Sequence, residues 1–165
     1  MDEWHDFFLA TAGASAVLVG LVFVGLSINL EMIMSNPAYG LTGRALEAMV
    51  LLMAVLIATC LLLVPAQGIV LAGVEVLAVG VADWGAILAI QLRQLRNWHS
   101  LEASLRRILV TRVVAGQAAT LPFVGAGVAI LGWGEVGLFL LVSAVILTFI
   151  VAVGNAWVLL VEINR

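Results

Sequence analysis

Residues 61–72 read LLLVPAQGIVLA: an apolar run stops at Pro65-Ala66-Gln67-Gly68 and resumes at Ile69. How those four residues are read decides the fold. If Pro65 is a kink inside one long helix, the chain has four membrane spans. If it makes a turn, there are five. Proline lacks the N–H a helix interior needs, and a glycine close behind it favours chain reversal. The arginines arbitrate. With a turn at Pro65, three segments share one side of the bilayer: the N-terminus, the Pro65 turn and the Gly132-Trp133-Gly134-Glu135 turn. That side carries no arginine. Arg44, Arg93, Arg96, Arg106, Arg107, Arg112 and Arg165 all fall at or near the other, which the bias of basic residues marks as cytoplasmic. Without the turn, the cluster between Arg93 and Arg107 would lie opposite Arg44.

The sequence therefore predicts an all-α, polytopic membrane bundle of five transmembrane helices, N-terminus out and C-terminus in. A hydrocarbon core of about 30 Å takes about 20 apolar residues to cross as a helix. The spans fall at about 7–30, 45–64, 69–90, 108–131 and 136–161, in a single domain over 1–165. Trp4 and Trp133 are expected at the outer interface and Trp157 near the inner one.

Composition agrees. Of 165 residues, 64% are hydrophobic and 10% charged, with mean hydropathy +1.22. A soluble domain of this size leaves too much surface in water to hide that much apolar area. The net charge of −3 gives no support for nucleic-acid binding. The N-terminal residues Asp2, Glu3 and Asp6 are acidic where a signal peptide is basic, so the first span is expected to stay. Cys60 is the only cysteine and is expected as a small buried hydrophobe. No catalytic, metal-binding or phosphate-binding motif is present. Neither enzyme activity, nor a metal, nor a cofactor is expected.

Three groups of residues stand out. The first is Glu75 and Asp83, each four residues from Val79 at the centre of the third span, or about 6 Å from the midplane. A charge at that depth costs roughly 3 kcal/mol on insertion scales, so both must face protein or water. Ala72, Glu75, Ala78, Ala82, Ala86 and Ala89 recur at helical spacing as a small-residue seam that would turn Glu75 inward. Two readings follow. One is an ion or proton path through Glu75, Asp83 and Arg112. The other is structural pairing, for instance of Asp83 with Arg112. Glu31, Glu47 and Arg44 are expected to form a surface ion-pair cluster.

The second group is a helix-packing stripe on the first span: Ala12, Gly13, Ala16, Gly20 and Ser27. It can serve contacts inside the bundle or between copies. The third is the segment 91–107, where Leu92, Leu95, Trp98, Leu101 and Leu105 recur at helical spacing among arginines. It reads as an amphipathic helix in the headgroup region or as an extension of the third span. Arg93, Arg96, Trp98, Arg106 and Arg107 would then contact lipid headgroups or a partner. Ser15, Asn29, Gln117, Thr120, Ser143 and Asn155 are expected to bond between helices or, in the other reading, to line a hydrated path.

The first span also carries a resemblance. Phe7-Phe8, then 12–16 (AGASA), 20–24 (GLVFV) and 26–31 (LSINLE), with Arg44 and Glu47 opening the second span, resemble the start of a group of small bacterial multi-pass membrane proteins. Some of these are labelled "modulator of FtsH protease". The resemblance implies a bacterial inner-membrane location and a regulatory role, and it carries no active residues over.

Two functions are expected from these readings. One is a homo-oligomeric cation or proton channel or transport protein that uses membrane-embedded carboxylates. The alternative is a non-transporting regulatory or scaffold subunit with a membrane-protein partner. Membrane lipids are partners in either case.

Overall fold

The computed structural model describes residues 2–31, 41–96 and 103–159. Among them the chain is helical. A 3-10 turn at Asp2–Trp4 leads into α1 (His5–Ile28), followed by α2 (Leu41–Leu62), α3 (Ile69–Leu95) and α4 (Ala103–Trp133). A second 3-10 turn at Gly134–Val136 precedes α5 (Gly137–Trp157). By length and hydropathy, four stretches can cross a membrane: α1, α2, α3, and the 52 residues Arg106–Trp157, which hold most of α4, the short turn and α5. The molecule is an apolar helical bundle of the membrane-protein kind.

Both expected reversals form. α2 ends at Leu62, and the turn that follows sets Ala66 at φ 58° before α3 begins at Ile69. Proline stops the helix by removing a donor and crowding the preceding carbonyl. Gly134 takes φ 65° between α4 and α5, a conformation that glycine adopts without steric cost. The two helices then fold back on each other. Thr148 Oγ1 on α5 donates to the Ala119 carbonyl on α4 at 3.3 Å.

Two apolar clusters divide the interior along the bundle axis. Phe8, Val55, Leu62, Val76, Phe123, Ile130, Leu138 and Leu141 form the cluster toward the Pro65 turn. Val22, Leu51, Leu52, Ile87, Ala119 and Ala152 form the other, with Leu41, Ala45 and Leu159 beyond it. Membership alternates as antiparallel neighbours require: α1, α3 and α5 enter the first cluster with their starts, α2 and α4 with their ends. Trp4 closes that end, its ring 5.0 Å from Phe139 and edge-on. Arg44, Arg93, Arg96, Arg106, Arg107 and Arg112 sit at the opposite end of the helices.

α3 and α4 pack backbone to backbone. A Cβ on Gly80 would lie 2.9 Å from the Val124 nitrogen, and one on Gly127 2.5 Å from the Leu77 Cα. Any side chain at either position would push the backbones apart. The seam expected on α3 is therefore displaced. Its buried face is Ala72, Gly73, Val76, Gly80, Asp83, Ile87 and Gln91, whereas Ala78, Ala82 and Ala89 are exposed. Alanine is apolar enough to face lipid, so alanine spacing alone does not mark the contact, and of the α3 glycines Gly73 and Gly80 lie on it while Gly85 does not.

Other expectations change as well. The stripe on α1 splits: Ala12 is buried, while Gly13, Ala16, Gly20 and Ser27 face outward. Nothing lies within 4 Å of where a Cβ on Gly13 or Gly20 would be. α1 packs instead through Phe8, Thr11, Ser15, Val22 and Gly25. Cys60 is exposed rather than buried, because in a lipid-facing helix a small apolar side chain gains little by turning inward. The segment 91–107 begins as an extension of α3, which continues to Leu95, and its far end belongs to α4. Trp98 lies outside the described residues.

Candidate functional site

The buried ion pair and the buried amides Gln91 and Asn155 lie at the arginine end. Gly43, Arg44 and Glu47 open α2, Gln91 and Gln94 close α3, and Arg112, Gly116 and Gln117 lie on the first half of α4. Antiparallel packing brings these three helix ends to one level.

Arg112 does not reach Asp83. Its Nη2 donates to Glu47 Oε2 at 2.9 Å, with the two side chains 9% and 3% exposed. Glu47 thus leaves the surface cluster expected for it. At the start of an apolar run it looked like an interfacial residue. It is in fact one turn before Leu51 on the buried face of α2. The pair sits in a low-dielectric setting where attraction is strong but desolvation is costly.

Glutamines occupy the neighbouring space. The Gln94 amide lies directly over Gly43, in the place of its missing side chain, and Arg112 Nη2 flanks the same spot at 3.5 Å. The Gln91 amide covers Gly116 in the same way. Gln117 Nε2 donates to Gln91 Oε1 at 2.8 Å, and Gln117 Oε1 accepts from Trp84 Nε1 at 2.8 Å. Two glycines therefore make room for two amides, and Gln117 bridges α4 to α3, as expected of an interhelical bond.

Asp83 sits one position before Trp84 and is 4% exposed. Gly80 against Phe123 and Val124, and Ile87 against Gly116, put Asp83 level with Thr120 on α4. Thr148 on α5 is at about that height too, because it bonds to Ala119. Ser15, between Phe8 and Val22 on α1, completes a layer of small hydroxyls between the two apolar clusters. Ser15 Oγ and Thr120 Oγ1 donate to the Thr11 and Gly116 carbonyls of their own helices. Asn29 and Ser143 likewise bond one turn back, to Gly25 and Phe139. For these four the expected interhelical bonds do not form, because a carbonyl one turn back is already within reach. Asn155 is buried on α5.

Glu75 stands apart. It is half-buried toward the Pro65 end, and its Oε2 accepts from Gln67 Nε2 of the turn. Eight residues separate it from Asp83, about 12 Å along the helix. The two carboxylates do not meet. Between them α3 carries Val76 and Gly80 on its buried face, against Phe123.

One property singles out the arginine-end interior. The buried side-chain atoms without a hydrogen-bond partner among the described residues are Glu47 Oε1, Asp83 Oδ1 and Oδ2, Gln91 Nε2, Gln94 Nε2, Arg112 Nε and, at the far end, Gln67 Oε1. All but the last belong to Asp83, Gln91, Gln94 and the Glu47–Arg112 pair, from the middle of α3 to the arginine end. Buried polar atoms are seldom left unpaired, and each costs about 1–3 kcal/mol when they are. Among the described residues no three His, Cys, Asp or Glu side chains come together as a metal site would need.

No family model matches the chain, and neither a curated protein nor a solved structure shows significant similarity to it.

Proposed function

We propose that the protein is a five-span bacterial inner-membrane protein, N-terminus outside and C-terminus inside, that passes a proton or small cation along a path centred on Asp83. The observation that carries this reading is the run of partnerless buried polar atoms from Gln94, Glu47 and Arg112 through Gln91 to Asp83. Such atoms reach their usual pairing if water enters from the arginine end, since a polar space with several donors and acceptors is where buried water is stable. The result is a hydrated half-path that stops at a membrane-buried carboxylate. Intramembrane carboxylates in such positions serve proton and cation relays.

Each group then has a role. Glu47 and Arg112 hold the cytoplasmic entrance and fix its charge. Gln91, Gln94 and Gln117 orient water. Asp83 is the station that takes up the proton or cation. Glu75, with Gln67, lies toward the outer exit. Val76 and Phe123 close the stretch between Asp83 and Glu75, so passage requires that half to open. Assembly into a homo-oligomer belongs to this reading, with the outward face of α1 at Gly13, Ala16 and Gly20 between copies.

The test is flux into liposomes under an imposed potential, followed by an entrapped pH dye and by cation-selective dyes. Wild-type protein is expected to pass current that Asp83→Asn reduces to the level of empty liposomes, with the oligomer intact by gel filtration. Wild-type liposomes that pass neither protons nor cations under any gradient refute the reading. A non-transporting regulatory or scaffold subunit, as the resemblance to modulators of a membrane protease implies, would then replace it, and a copurifying membrane partner would be its mark.

A further inference from the structure

A cavity lies at the arginine end, beside the polar interior and sharing Arg112 with it. It is an open cleft of about 480 Å³ between the first half of α4 and the last half of α5, with the start of α2 at its rim. Arg44, Arg107 and Arg112 line it, together with Asn155. Among the described residues no carboxylate lines it, and Arg112 Nε, buried in its wall, has no hydrogen-bond partner among them. Ile108, Ala115, Ile150 and Val151 supply the rest of the surface. Ile108 and Ile150 are 48% and 63% exposed, so the apolar side opens outward.

This arrangement has two chemistries in one space. Three guanidinium groups, of which Arg112 is already paired with Glu47 through Nη2, favour a phosphate, which arginine binds through paired N–H donors. The branched apolar wall favours a hydrocarbon chain. The volume exceeds that of a phosphate and falls in the range of small-ligand sites. Basic pockets between membrane helices on the arginine-rich side suit anionic headgroups. A free phosphate would satisfy the arginines and leave the apolar wall without a use. We infer that the cleft binds the headgroup phosphate of an anionic phospholipid, with one acyl chain lying along Ile150 and Val151. The lipid would sit on the outer side of Arg112 while Glu47 holds the inner side. It would thereby brace the pair that guards the half-path. The binding claim itself needs only the helical membrane bundle and stands apart from any flux.

The full-length protein in nanodiscs of equal phosphatidylglycerol and phosphatidylcholine is released into detergent, and retained lipid is measured by native mass spectrometry. Phosphatidylglycerol is expected to be retained in preference to phosphatidylcholine. In the double variant Arg44→Gln/Arg107→Gln the preference should fall about tenfold, the usual scale for lost charge-assisted bonds. Ile150→Trp, which fills the cleft from an exposed position, should release the lipid. Ile57→Trp, an equally bulky change on the exposed side of α2, should not. Equal retention of the two lipids overturns the inference. So does displacement of phosphatidylglycerol by millimolar inorganic phosphate, which would make the cleft a free-anion site. Unchanged retention in Ile150→Trp overturns it too, since attraction would then be spread over the arginine surface.

Discussion

The two halves of the bundle solve the same packing problem with different materials. Toward the Pro65 turn the interior is made of Phe8, Val76, Phe123, Ile130, Leu138 and Leu141 in mutual contact, and α3 meets α4 through bare backbone at Gly80 and Gly127. Toward the arginine end two glycines give way instead to amides, Gly43 to Gln94 and Gly116 to Gln91, and a buried ion pair takes the central position. Asp83 lies where the two regimes meet. Glycine in a membrane helix is thus not one signal. It can admit a neighbouring backbone, or it can make room for a polar side chain, and only the second creates a candidate site.

The comparison predicts opposite sensitivities: the polar half to unbalanced charge, the apolar half to added volume. The largest effect is expected from Arg112→Ala, which strands Glu47 as an unpaired buried charge and should cost about 3–5 kcal/mol. The double change Glu47→Leu/Arg112→Leu should cost far less, because the desolvation penalty vanishes with both charges. Unfolding in SDS mixed micelles measures both. A tolerated Arg112→Ala would mean that the polar half is already as wet as a surface. Next comes Gly127→Leu. The new side chain meets the Leu77 backbone, and overpacking of this kind should cost about 3 kcal/mol. The matched Gly85→Leu on the open face of α3, where nothing lies within 4 Å of an added Cβ, should leave the unfolding midpoint unchanged. The smallest effect belongs to Gln117→Leu, which removes the bonds to Trp84 and Gln91. Interhelical bonds in membranes are worth about 1 kcal/mol. The loss should also shift Trp84 fluorescence, and an unchanged emission spectrum would argue against the Trp84–Gln117 bond.

The helical class was legible because it rests on local properties. Apolar length, Pro65 and Gly134 act within a few residues of themselves, and helices end beside both turns. Asp83 was legible for the same reason: a carboxylate in an apolar run must be accommodated somewhere. The helix faces were not. In water a polar stripe shows which side of a helix is outside. In lipid both sides are apolar, so the exposed Ala78 and Ala82 and the buried Ala72 look alike in sequence. The small residues of the α1 stripe look alike in sequence for the same reason, although Ala12 is buried and Gly13 and Gly20 touch nothing within the bundle, and nothing in the sequence turns Cys60 outward. Glu47 was missed because its partner lies 65 residues away. Gln91 and Gln94 were missed because an arginine-rich segment reads as surface, although Gln91 is 1% exposed.

By itself the sequence determined that this chain is helical, that it is built for lipid, where it reverses at Pro65 and Gly134, and that Asp83 must be hidden. The tertiary structure alone decided what hides it and what stands beside it. Arg112 goes to Glu47 rather than Asp83, Glu75 goes to Gln67, and two glycine gaps hold the amides that fill the space below. The physical reason is one of range. Hydropathy and turn formation are summed over neighbours in the chain, whereas a buried charge chooses its partner by distance across helices, and antiparallel register sets those distances only once every helix has packed.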